Sequence, residues 1–472
     1  MKDNILKFLL QVKKFLRYDN TKFLGGWITR GISGLILLIL VVFYWKLKFS
    51  FFYWDEWDWL RPIANGNFEI FKPHNEHFLP IIKVFYEVQL SVFHNDPMYM
   101  HYVMLFIHAV TAFLVGYFLW LLLKRNFLAI LGGLIFALHP FQWENVLWTF
   151  QSQIIFNVMF VLLALIFTKL FLDTLKKRYY FLALFFTFIQ LYTFGSGLIM
   201  PIVIIMFFLL FRGKRVSWKL VIPYIIIFIV NTIIYKIWGS ANVVAFADIK
   251  NISAIQKLIE YYSYAIFNNL GRTLSLKESP VFTLSLIFYT LIAIFSTFFI
   301  GKGILEKKEQ WKLFAFGYVW YLISFILISL SRFTNGIEQS YSARYAYYYI
   351  IPILIIVLYI VKFLLEEKRP WFNYLFRLLL TVVIITFLIL SYIHIQKIKT
   401  DRQFLFVKNY KEMSLYEKDN SYEPVIFDLH PFQTKQELLD TIQKLNLIND
   451  KNTRRVCGLQ PVYTFDNDCY KL

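Results

Sequence analysis

GISGLILLILVVFYWKLKFSFFYWDEWD, Gly31 to Asp58, passes from an apolar run into three carboxylates set among tryptophans. The run, about 31–50, can cross a hydrocarbon core of about 30 Å as a helix. Asp55, Glu56 and Asp58 then stand at the mouth of a membrane span. Acids held between Trp54 and Trp57 at such an edge are a candidate reaction centre. The competing reading is a solvated acidic loop with an interfacial tryptophan belt.

The rest of the chain repeats the apolar theme. Of 472 residues, 58% are hydrophobic, 20% aromatic and only 17% charged, more apolar surface than a soluble domain of this size can bury. In lipid every backbone polar group must be paired inside the segment, so the fold class is an all-α polytopic membrane protein. The formal net charge of +19 invites a nucleic-acid reading. The basic residues, however, fall in short clusters between apolar runs, as topology signals do. Nucleic acid is therefore excluded as a partner, and membrane lipid is expected. No small-residue cleavage site follows the first apolar run, so a cleavable signal peptide is not expected.

Residues 1–30 interleave Lys7, Lys13, Lys14 and Arg17 with Ile5, Phe8, Val12 and Leu16 at helical spacing. This predicts an amphipathic helix on the cytoplasmic leaflet, with the N-terminus inside. A transmembrane domain is expected over 31–394, with a large outer loop at 51–97 after the first span. Further spans are expected at about 98–123, 127–138, 146–170, 179–194, 198–211, 217–238, 281–300, 313–330, 344–365 and 373–394. That makes about eleven transmembrane helices in all. A second outer loop is expected at 239–280. Every inner loop so placed is basic, and the C-terminus falls outside. Residues 395–472 change to ordinary polar composition and predict a small extracytoplasmic α+β domain. Within it, Thr434 and Glu437 have capping-box spacing ahead of Leu438, Leu439 and Ile442. Residues 425–427 suggest a short strand, and Cys457 and Cys469 are candidates for one disulfide.

Three constellations carry the chemistry. The first outer loop holds Asp55, Glu56, Asp58, Trp57, His74, Glu76 and His77: a general base with groups that orient an acceptor or a cation. The second is ALHPFQWENVLW, containing His139 and Glu144, which also reads as a Pro-broken turn with a polar lip. The third holds Arg332, then Arg344 and Tyr345 ahead of a span. A guanidinium beside free helix N–H groups makes a phosphate site, and an arginine snorkelling to the interface is the alternative. His94, His101 and His108 repeat every seven residues on one helix face. Steps of two turns, about 10 Å, are too long to share an ion, so they are read as polar lining of the bundle.

These pieces together resemble the GT-C glycosyltransferases. LIFALHPFQWENVLW looks like the His-Pro…Glu…Val…Trp stretch of protein-mannosyltransferase-like members, and WDEWDWL looks like their first-loop paired-acid motif. HNEHFLP and SRFTNGIEQSYSARY are similar to segments of bacterial membrane proteins of that superfamily. The resemblance covers roughly 30–365. It implies transfer of a sugar from a polyprenyl-phosphate donor to a glycan, lipid or protein acceptor, by inverting displacement, at the outer face of a bacterial inner membrane. It further implies that Asp55 takes the acceptor proton and that Arg344 holds the donor phosphate. His139 and Glu144 shape the same cavity. Relatives often carry two aspartates where this chain has Asp55-Glu56, so either can be the base. No cofactor is required, although the pair suits magnesium or manganese. Two rivals remain. A glycan polymerase or ligase usually places its large outer loop late in the chain, and here it comes first. A lipid or glycan transporter would show repeats and midplane polar groups.

Overall fold

The computed structural model describes residues 50–52, 54–74, 77–214, 216–239, 252–272, 280–306, 311–335, 342–366, 369–418 and 435–457. The amphipathic helix at 1–30, the first span up to residue 49, Glu76, Thr434, the strand at 425–427 and Cys469 lie outside these residues, and with Cys469 the disulfide. Among the described residues every regular element is helical, and the one β-bridge joins His74 and His77.

The first loop folds into two helices, α1 (Trp57–Ala64) and α2 (Pro80–Val92). Then α3 (Pro97–Leu123) begins. Asp96 caps it by accepting from Met98 N at 3.0 Å, and Pro97 occupies the first turn, where a missing N–H costs nothing. His94 therefore sits before the helix, in a turn with φ 51°, and not on the face it was expected to share with His101 and His108.

Next come α4 (Asn126–Leu138) and the one-turn α5 (Trp143–Leu147). Pro140 disfavours helical geometry at the residue before it. His139 is accordingly extended, and the chain bends by 52° between Asn126–Leu138 and Pro140–Leu147. Helix α4 lies tightly along α3: a Cβ on Gly133 would sit 3.0 Å from the Ala112 carbonyl oxygen, and one on Gly116 would sit 3.1 Å from that of Ala129. Small residues at such crossings let two backbones meet inside a membrane.

The bundle continues with α6 (Ser152–Thr174), α7 (Lys177–Ile189), α8 (Met200–Phe211), α9 (Ile222–Ile234), α10 (Ile252–Arg272), α11 (Pro280–Leu305), α12 (Trp311–Arg332) and α13 (Ala346–Leu365). Among the described residues, six helical segments can cross a membrane by length and composition, or seven if the bent pair is one span. They are Pro97–Leu123, Thr149–Thr174, Trp218–Ile237, Trp311–Leu330, Ala346–Leu365 and part of Trp371–Leu415. The chain is thus a multi-pass membrane protein. The core lies among α3, α4, α6, α8, α12 and α13. Helix α10 occupies part of the stretch expected to be the second outer loop.

Two features depart from the expected outline at the C-terminal end. Helix α14 (Pro370–Lys418) is one unbroken helix of 49 residues that runs through position 395. At about 1.5 Å per residue it is ~73 Å long, more than twice a hydrocarbon core. Its second half lies on the face that carries the first loop, with Arg402 over the Trp143 ring at 4.4 Å and Tyr410 edge-on to Phe51 at 5.4 Å. Helices α15 (Lys435–Lys444) and α16 (Asp450–Cys457) then dock on that loop. Arg61 pairs with Glu437 at 3.0 Å, and Lys444 Nζ donates to Asn65 at 2.7 Å. The second departure is the tight clasp at Asp96, which is paired with Lys451 at 2.6 Å and Arg455 at 2.8 Å.

Burial opposes the charge on Asp96, but Arg455, Lys451 and the Met98 N–H outweigh it and hold the carboxyl below its usual 3.8. A depressed carboxylate contributes stability above its unfolded pKa, lost as pH falls through the folded value. The clasp is therefore intact at neutral pH and opens only in strong acid. Asp96→Asn keeps an N-cap residue but removes the ion pairs. It is expected to weaken the docking of α16 by about 1–3 kcal/mol, read as faster amide exchange over 450–457. Unchanged exchange there would show that apolar contacts alone hold the helix.

Candidate active site

Asp55 sits in a one-turn helix, Trp54–Glu56, that leads directly into α1. Residues three apart share a helix face, and adjacent residues do not. Asp55 and Asp58 therefore turn the same way, half-buried, while Glu56 turns inward and is 2% exposed. Burial, with the Glu56 charge behind it, pushes the Tyr86 phenol well above its ordinary pKa. The inward acid thus stands near α2, away from the Asp55–Asp58 face. Trp57 is buried in aromatic packing, edge-on to Phe51 and Phe52 at 6.3 and 6.4 Å.

His74 completes the first cluster. One ligand atom each from Asp55, Asp58 and His74 lies within 4.8 Å of the others. Two hard carboxylates and an imidazole suit a divalent cation, and the set fits better than the Asp55–Glu56 pair considered from sequence. The backbones of His74 and His77 bond each other through two N–H···O contacts of 2.9 Å. The His74 ring rests edge-on to Trp59 at 5.7 Å and to Phe150 at 5.2 Å. His77 packs on Phe194, with ring centres 4.3 Å apart. It also lies over the bend between α7 and α8, where a Cβ on Gly195 would come within 2.7 Å of its Nδ1. The bend between α7 and α8 therefore also seats the first loop. Lys83, buried in α2, donates to the carbonyls of Glu69 at 2.9 Å and Lys72 at 2.6 Å and so pins the loop ahead of His74. Burial first, then Lys72, pulls its pKa down to about 8, against the opposing Glu69.

The second cluster joins the broken span to the turn Ala343–Tyr345. Glu144 accepts from Arg344 N at 3.0 Å and from Ser342 Oγ at 3.2 Å, and pairs with Arg344 Nη1 at 3.8 Å. Asn145 Nδ2 donates to the Arg344 carbonyl at 3.0 Å. Glu144 is thus a positioning group: it caps the turn that presents Arg344. The guanidinium lies 6.0 Å from the Trp148 ring and 5.6 Å from that of Tyr345. Burial opposes its charge, but Tyr345, Glu144 and Asp55 together raise its pKa. The Asp55 carboxylate is thus among the charges that Arg344 feels.

His139 serves the bend, its Nδ1 accepting from Phe141 N at 3.3 Å. Arg332 ends α12, and its charge is felt at Tyr261 on α10, as is that of Arg344. His101 and His108 are buried in α3, and His108 is bonded to the Ala137 carbonyl at 2.9 Å and to the Tyr347 hydroxyl. Sequence reasoning missed Ser342 and Asn145, whose residue types carry no signal apart from the pairing they make. The spacing of Asp55 and Asp58 did carry one.

The structure therefore brings a half-buried acid pair together with an imidazole, and caps an arginine that feels the charge of Asp55. No family model and no curated protein sequence matches the chain. Among solved structures it is similar to the oligosaccharyltransferase of Archaeoglobus fulgidus solved with zinc and sulfate, with TM-score 0.47, 14% identity, and coverage of 88% of this chain and 61% of that one. It is also similar to the archaeal oligosaccharyltransferase AglB of Archaeoglobus fulgidus in complex with an inhibitory peptide and a dolichol-phosphate, with TM-score 0.46, 14% identity, and coverage of 86% and 61%. The chain spans 61% of the length of each of these structures.

Proposed function

We propose that the protein is a membrane glycosyltransferase that moves a sugar from a polyprenyl-phosphate donor to an extracytoplasmic acceptor. The observation that carries this reading is the cluster of Asp55, Asp58 and His74 ligand atoms, with the Glu144-capped Arg344 near enough to feel the Asp55 charge. An acceptor hydroxyl or amide needs a base within hydrogen-bond reach. A departing lipid phosphate needs a cation where charge develops. Asp55 takes the acceptor proton while the acceptor attacks the anomeric carbon. The bond from that carbon to the phosphate oxygen breaks, and the configuration inverts. The donor is a phosphodiester with one negative charge. The leaving polyprenyl phosphate gains a second, and Arg344 acts on that gain.

The site lies on the face that carries the first loop, which we place outside the inner membrane of a bacterium. The N-terminus is then inside and the C-terminus outside. The acceptor is a glycan, a lipid or a protein. One observation favours a metal-assisted version: the ligand atoms of Asp55, Asp58 and His74 lie close enough to hold one divalent cation. Bound there, the cation would polarise and orient an acceptor group.

The test is transfer of labelled sugar from polyprenyl-phosphate donors by the purified protein in lipid vesicles. Product that carries the label with inverted anomeric configuration supports the reading. Movement of the donor across the vesicle without transfer to any acceptor would replace it with a transporter, and a ladder of products would indicate a polymerase.

A further inference from the structure

Helix α10 was expected to be loop, yet it is fastened to the bundle. Tyr321 of α12 donates to the Ile266 carbonyl at 2.6 Å, and Tyr262 of α10 donates to that of Leu322 at 3.1 Å. These bonds set its rotation and turn Tyr261 and Ala265 inward, at 1% and 0% exposure. The helix packs on α12 and on the turn Phe333–Asn335 that follows Arg332.

Buried phenols almost always find a hydrogen-bond partner. The Tyr261 hydroxyl has none among the described residues. Its surroundings say what it lacks. The charges of Arg332 and Arg344 both reach it, together with Tyr345. Guanidinium groups only donate, so neither arginine can accept from the phenol O–H, and no carboxylate among the described residues does. An anion held by both arginines would present the missing acceptor.

We propose that Tyr261 is a ligand of the donor phosphate, donating its O–H to an oxygen that Arg344 and Arg332 also hold. The inference rests on the transferase reading and adds a residue to its donor site. It gives α10 a role, closing the anion site beside the Arg332 end of α12. It also discriminates by chemistry. The phenol can donate to the oxygens of a phosphomonoester or a phosphodiester, and these anionic acceptors bind its O–H more strongly than the hydroxyl of a neutral lipid alcohol does.

The experiment compares binding of a long-chain polyprenyl monophosphate, with the matching neutral polyprenol as control, to the full-length protein in nanodiscs. Wild type is expected to prefer the phosphate. Tyr261→Phe is expected to weaken phosphate binding about tenfold, the loss of one hydrogen bond to a charged group. It leaves polyprenol binding unchanged and Tm equal or higher, because phenylalanine fills the same space and removes an unsatisfied hydroxyl. Full phosphate affinity in Tyr261→Phe, with loss in Arg344→Ala, would overturn the role of Tyr261 and keep the arginine site. A lowered Tm with full affinity would make Tyr261 a packing residue and overturn the inference. No preference for phosphate in wild type would overturn both the inference and the transferase reading.

Discussion

Asp55→Asn is expected to reduce sugar transfer by about 10²–10⁴-fold, the range for losing a positioned general base, while donor binding stays near wild type. The amide has the same shape and keeps one acceptor oxygen, so the turn into α1 survives. What disappears is the capacity to take a proton. The substitution also withdraws one of the negative charges that steady Arg344, so donor binding is expected to tighten if it changes at all. The acid cluster allows a sharper reading of the same variant. If Asp55 acts as base, Asp58→Asn and His74→Gln cost far less than Asp55→Asn, and a chelator leaves wild type active. If the trio holds a cation, the three variants fall together, a chelator silences wild type, and added manganese restores it. Transfer at the wild-type rate in Asp55→Asn would falsify both assignments.

Glu144→Ala is the second large effect. Glu144 touches neither reactant in this scheme. It holds the N–H of Arg344 at 3.0 Å and the hydroxyl of Ser342 at 3.2 Å. Alanine leaves a partly buried N–H and a guanidinium without their partner, at about 1–3 kcal/mol for each unmet group. A shift of about 1 Å in a reacting group is enough to cost about 10²-fold. Donor affinity and turnover are both expected to fall by about that factor, with Tm lowered. Glu144→Gln keeps an oxygen for the Arg344 N–H and is expected to recover most donor affinity. Loss of activity in the glutamine variant equal to that in alanine would assign Glu144 a direct charge role at the reaction, beyond positioning.

The multi-pass helical character was legible in the apolar runs, because a span needs only length and hydropathy. Pro97–Leu123, Trp218–Ile237 and Ala346–Leu365 lie within a few residues of their expected places. The bend at His139-Pro140 was legible too, since proline constrains its neighbour wherever it stands. The course of the chain after residue 394 was not. Polarity rises there, and polarity marks the exit from lipid but not the end of a helix, so α14 continues to Lys418. Helix α10 was missed for a related reason: its mean hydropathy is too low for a span, and its apolar face is a single stripe. Of the site, residue types were legible and their company was not. Asp55, Asp58, His74, Glu144 and Arg344 all stood out. That Glu144 serves the Arg344 backbone, and that Glu56 turns inward, depends on contacts between segments far apart in the chain.

The bond from Arg344 N to Glu144 spans 200 positions. During synthesis the two halves of that cap therefore leave the ribosome far apart in time. At about 5–20 residues per second the interval is roughly 10–40 s. Throughout it the broken span is already emerging with an acid at its lip and no capping partner. Chains that stop before residue 342 can never cover that acid, whereas complete chains do so when the turn ahead of α13 arrives. The pairing that aims Arg344 thus also marks that synthesis has passed the turn ahead of α13.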